Sequence, residues 1–168
     1  ALRAVGWRMV SSGLAGSGRV SVSQYRLEFP LTLACAIYAA VLWTAQPMEA
    51  QRASGVSGTL RGGALAIAVL VLLQIYLGAL VAGTNAGLVY NTWPLIDGHL
   101  VPTPDRLWFI SPTWRNVFEN TLTVQFDHRM IAYTIFVIAL LHLIHAWRAR
   151  SGLAGAIVLA VVVAFQAT

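Results

Sequence analysis

Lysine is absent from the sequence, and all 11 of its basic residues are arginine. Charge of any kind is scarce: 10% of the 168 residues are charged, against roughly 25% in a typical soluble domain. A chain so poor in charge has too little to cover a water-facing surface. With 58% hydrophobic residues and a mean hydropathy of +0.70, it calls for a bilayer as solvent. The net charge of +5 forms no basic stripe and accompanies no nucleic-acid motif. That argues against DNA or RNA as a partner and leaves loop topology and lipid headgroups to account for the arginines. Cysteine is limited to Cys35, inside an apolar run, so there is no internal disulfide and no CxxC site. No basic segment followed by an apolar run and cleavage site comes after Ala1. Leu153 to Thr168 is strongly apolar but short of the ~20 residues a span needs. The chain is therefore expected to be a segment of a larger membrane protein, continuing at both ends.

What is present is a series of apolar runs separated by two informative loops. Residues 1–20 place Leu2, Val5, Met9 and Val10 apart from Arg3, Arg8, Ser11 and Ser12. Either an amphipathic helix at the membrane surface or a frayed end suits that pattern. A first span is expected from Pro30 to Ala45, with the proline in the first helical turn. Gln46 to Gly63 is a connecting loop, and Ala64 to Val81 a second span in which Gly78 and the nearby Gly83 admit close approach of another helix. The next loop, about Gly83 to Val124, carries Tyr90, Trp93, Trp108, Phe109, Trp114 and Phe118 with Pro94, Pro102, Pro104 and Pro112. Loops this long are functional or disordered, and the aromatic content argues for order. An ordered cap over a site at that membrane face is expected. Gln125 to Trp147 is the third span, and a fourth begins at Leu153. Arg148 and Arg150 mark their loop as cytoplasmic, which places the aromatic loop on the opposite side.

The stretch Gln125-Phe126-Asp127-His128-Arg129 is costly at the mouth of a span. Ionisable residues there are a functional-site hypothesis by default. Of the four histidines, His99 lies in a loop and His145 beside Trp147 and Arg148 at an interface. His128 and His142 share one predicted helix, within about 40° of each other and ~21 Å apart along its axis. One haem cannot bridge that distance, whereas two stacked haems can, as in a di-haem b-type electron carrier, if another helix offers a matching pair. His128 alone is the better axial-ligand candidate. Asp127 and Arg129 beside it can orient the ring, meet a propionate or cap the helix. A polar helix-start residue with no cofactor role, in a bland membrane scaffold, is the remaining alternative.

Three segments carry a resemblance. Gly87-Leu88-Val89-Tyr90-Asn91-Thr92-Trp93-Pro94-Leu95, Asn116-Val117-Phe118-Glu119-Asn120 and Gln125 to Arg129 resemble the haem A synthase family of the CtaA type, in its proteobacterial and mitochondrial form. Gly6 to Leu14 and Val22 to Leu27 resemble the same family upstream, so the likeness covers nearly the whole chain.

The resemblance implies an all-α, multi-pass transmembrane bundle, part of an eight-helix protein made of two four-helix halves. It implies an enzyme that oxidises the C8 methyl of haem O to a formyl group, giving haem A for terminal oxidases. Each half is expected to hold a haem pocket near the outer face, with one histidine from each of two helices. The C-terminal pocket is expected to hold a haem b cofactor. The N-terminal pocket is expected to take the substrate, with a glutamate also implicated. On that mapping residues 1–46 hold a surface helix and the last helix of the N-terminal half, 47–63 a cytoplasmic linker, and 64–168 the C-terminal half without its last helix. The site residues are His128, as iron ligand, and Arg129 beside it. The axial partner of His128 is expected beyond Thr168, and the first histidine and the glutamate of the other pocket before Ala1. This piece alone is expected to be inactive. The bacterial plasma membrane or mitochondrial inner membrane is the implied location. Haem O synthase and a terminal oxidase are the implied partners, and a homo-oligomer is admitted.

One position departs from the family pattern. After Ser-Gln-Tyr-Arg-Leu and two intervening residues the family carries a histidine that starts the fourth helix and ligates the substrate haem. Here Glu28 and Phe29 are followed by Pro30, which cannot ligate iron, and Glu28 is a poor oxygen substitute. Either the ordinary substrate site is lost or the sequence is disturbed locally.

Overall fold

The computed structural model describes residues 24–45 and 57–166; the segments 1–23 and 46–56, with the expected surface helix and most of the first loop, lie outside them. Among the described residues every named regular element is helical: α1 (Gln24–Ala45), α2 (Gly58–Thr84), α3 (Ala86–Val89), α4 (Pro104–Leu107), α5 (Asn116–Glu119), α6 (Thr121–Ala149) and α7 (Leu153–Gln166), with a 3₁₀ turn at Thr113–Arg115.

Among the described residues two helices are long and apolar enough to cross a membrane. α2 has 27 residues with a peak mean hydropathy of 2.6, and α6 has 29 with 1.9. At ~1.5 Å per residue each exceeds 40 Å, more than the ~30 Å hydrocarbon core. Only 22% and 17% of their most apolar windows are buried, so they are not the core helices of a water-soluble domain, which hide their apolar face.

The boundaries differ from the expectations in an instructive way. α1 begins at Gln24, so Pro30 is inside the helix rather than in its first turn. There it removes the N–H that would bond the Arg26 carbonyl. α2 begins six residues before Ala64, running through Gly62 and Gly63, because flanking apolar residues carry a helix through glycines that are only mildly unfavourable. Asn85 ends it in the left-handed conformation, φ 56°, which asparagine tolerates at a helix C-terminus.

The described residues group into two compact units. One comprises α1 as far as Ala34 with Ile75–Arg129; the other comprises α1 from Cys35, α2 as far as Gln74 and the chain from Met130. In the second, Leu60, Ala146 and Ala156 form a buried cluster with Leu143 packed on it. Two of these are alanines, so the helix backbones come close. In the first, Ile96, Leu107 and Leu122 form the buried cluster, with Tyr90 and Phe126 against it.

The long loop is thus built on a small apolar core, and polar side chains tie its backbone. Asn116 is fully buried. Its amide nitrogen donates to the carbonyls of Ile110 and Thr113, both at 2.9 Å, and its oxygen accepts from the Ile110 N–H at 3.1 Å. Asn120, also buried, donates to the carbonyls of Arg106 and Leu107. Its oxygen accepts from the Leu122 N–H, which makes it the N-cap of α6. Thr123 donates to the Leu107 carbonyl at 2.7 Å. At the loop's other end Ile96 and His99 exchange backbone hydrogen bonds of 2.8 and 3.1 Å. Asp97 and Gly98 turn between them with φ 55° and 80°, as a two-residue hairpin requires. Arg106 and Asp97 form an ion pair across the loop.

Candidate functional site

The 125–129 stretch is already helical. Asn120 caps α6 and Thr121 opens it, so Asp127 is in the second turn, too far in to serve the first turn or to cap it. The side chains divide between two neighbours. Gln125, buried, donates to the Tyr90 carbonyl at 3.3 Å. Phe126 packs on the loop core. Arg129, one turn after Gln125 and on the same face, donates to the Tyr90 carbonyl at 2.8 Å and to the Leu95 carbonyl at 3.3 Å. Two side chains of α6 therefore converge on one carbonyl, and Arg129 spans the segment from Tyr90 to Leu95.

His128 is half-buried and faces α2. A Cβ built on Gly78 would stand 3.3 Å from His128 Cε1 and 3.9 Å from Nδ1. The ring is seated against a bare Cα. His142 stands in the same relation to Gly63 in the other unit, where a Cβ would fall 2.8 Å from its Nδ1. Among the described residues no three His, Cys, Asp or Glu side chains gather as a metal-ligand set. A porphyrin brings four nitrogen ligands of its own and asks the protein only for axial ones.

The other two histidines stand elsewhere. His99 is exposed; its Nδ1–H donates to the Asp97 carbonyl at 2.9 Å, a turn contact. His145 is exposed on α6. A cavity of about 290 Å³ opens in the loop, lined by Tyr90, Asp105, Arg106, Phe109, Glu119, Asn120, Thr121 and Leu122; neither His128 nor Arg129 lines it.

The buried Asn116–Asn120–Thr123 network and the grip of Arg129 on the loop were not read from the sequence. An N-cap asparagine ahead of an apolar helical run is a readable signal. The long-range partners are not, since 39 positions separate Arg129 from Tyr90.

Comparison with known proteins decides the lineage. The family model described as cytochrome oxidase assembly protein, COX15-CtaA, matches residues 3–168. The chain belongs to that family. The Heme A synthase of Bradyrhizobium diazoefficiens is 52% identical over 98% of this chain and 46% of its own length. That of Rhodopseudomonas palustris strain BisA53 is 52% identical over 98% of this chain and 45% of its own, and that of Azorhizobium caulinodans 52% over 86% and 41%. The chain thus spans under half the length of these relatives. No solved structure matches it. COX15-CtaA membership and the two long apolar helices make this an integral membrane protein with an all-helical fold.

Proposed function

We propose that the chain is part of an enzyme that oxidises the C8 methyl group of haem O to a formyl group, yielding haem A. The observation that carries this reading is 52% identity over 98% of the chain to a protein named Heme A synthase. A di-haem electron carrier using His128 and His142 has no such support.

Within that enzyme, residues 64–168 supply most of a haem b pocket, residues 1–46 end the substrate half, and 47–63 join the two. His128 is the axial ligand that this chain contributes; its partner is on a helix that the chain does not include. The residues fit an axially held haem on one structural ground: His128 rests on a glycine, a cradle that a Cβ would fill. Haem b bound there would supply one-electron iron chemistry, tuned by ligand geometry and burial. The protein's own part is to orient the imidazole and close the site from water. Arg129 anchors the Tyr90–Leu95 segment and has further N–H groups for a propionate. Haem O synthase and a terminal oxidase are the proposed neighbours in the bacterial plasma membrane or mitochondrial inner membrane, with homo-oligomers admitted. The aromatic loop is proposed to face away from the cytoplasm.

Pro30 is the exception in the substrate half. Restoring a histidine with Pro30→His in the full-length protein should raise affinity for haem O. The activity itself is tested by expressing the full-length protein in cells that make haem O and lack haem A synthase. Appearance of haem A in extracted haem supports the reading; haem O alone, with the protein folded and haem-loaded, contradicts it.

A further inference from the structure

A glycine in a helix interior costs about 1 kcal/mol relative to alanine, so one that makes a specific contact invites a question. In α2, Gly58 and Gly62 face open space, whereas Gly78 lies under His128. Cε1, the ring atom nearest the missing Cβ, joins the two ring nitrogens. The bare Cα therefore lies against the Cε1–Nδ1 side of the ring and leaves Nε2 beyond contact distance.

The torsion that turns an imidazole about its Cβ–Cγ bond is broad and soft, so the ring's orientation is set by what it leans on. α6 is also held by the loop: Gln125 and Arg129 both donate to the Tyr90 carbonyl, and Phe126 packs in the loop core. The helix has no free rotation with which to relieve an added methyl group. The ring must give, by a few tenths of an ångström.

We propose that Gly78 is a positioning residue: its missing side chain sets the rotation of the His128 imidazole and thereby the electronic character of a haem iron bound to it. This rests on the reading of His128 as a haem ligand. Orientation of a metal-binding imidazole by its surroundings is a general means of tuning a metal.

Gly63 supplies the control. It makes a closer contact of the same kind with His142, a histidine with no place in the haem b pocket proposed here. Replacing Gly63 disturbs helix packing at least as much without touching the ligand.

The experiment uses the full-length protein loaded with haem. Haem content, low-spin EPR g-values and the reduced α-band are recorded for the parent, Gly78→Ala, Gly63→Ala and His128→Ala. Gly78→Ala is expected to keep its haem and to shift both the g-values and the band. Gly63→Ala is expected to lose thermal stability and keep the parental signature. A parental signature in Gly78→Ala overturns the proposal, as does an equal shift in Gly63→Ala. Should Gly78→Ala fail to accumulate, Gly78→Ala/Phe126→Leu gives α6 room to turn and is compared with Phe126→Leu alone; a shift between the two supports the proposal and identity overturns it. Retention of all haem in His128→Ala overturns the underlying ligand assignment instead.

Discussion

Arg129 donates to the Tyr90 carbonyl at 2.8 Å across 39 positions of sequence. This contact joins the membrane helix to the start of the aromatic loop, and Gln125 reinforces it from one turn earlier. The stretch at 125–129, which carries the proposed ligand His128, is therefore also the loop's anchor.

The anchor can be measured. Arg129→Ala removes two charge-assisted hydrogen bonds, each worth about 1.5–3 kcal/mol at most and less where water reaches them. Hydrogen exchange at Ile96 and His99, each of whose N–H groups donates to the other's carbonyl, should speed up about tenfold or more in haem-free protein. Unchanged protection would show that the loop core holds the segment unaided.

The buried asparagines should matter more. Asn120→Ala removes the cap of α6 and the donors to the Arg106 and Leu107 carbonyls. Cap loss and unsatisfied buried carbonyls together should lower stability by on the order of 2–4 kcal/mol. Thermal unfolding in detergent tests this; a loss below about 1 kcal/mol would contradict the network's role.

At the hairpin, two neighbouring features should differ. Gly98→Ala forces a side chain into φ 80° and should cost about 1 kcal/mol or more. Arg106→Gln breaks an ion pair whose side chains are 46% and 25% exposed, which should cost less than about 1 kcal/mol. Denaturation midpoints of the two variants should rank in that order, and the reverse ranking would contradict it.

Close helix packing in the second unit gives another test. Ala146 is fully buried against Leu60 and Ala156. Ala146→Leu overfills that contact and should cost about 1–3 kcal/mol, while haem content in the full-length protein stays at the parental level. A stable variant would mean that the helices can part there without penalty.

Much of the fold is legible in the sequence because its signals are local. The apolar runs that become α2 and α6 announce themselves by length and composition, and the aromatic, proline-rich loop announces order. The helix starts are less legible. Thr121 opens α6 ahead of Gln125 because Asn120, read as loop, caps it. The glycines at 62 and 63 read as linker but join α2. At the site, residue type alone singles out His128. The seat that Gly78 provides is invisible along the chain, because it depends on which face of α2 meets α6. Arg129 reads as a cofactor contact, yet its defined partners are backbone carbonyls that only the folded loop brings near.

His128 is the residue on which the proposed haem pocket depends. In the full-length protein, haem per polypeptide should be counted by the pyridine haemochromogen method for the parent, His128→Ala and His142→Leu. One haem fewer is expected in His128→Ala and parental content in His142→Leu. Parental haem content in His128→Ala would contradict the ligand assignment.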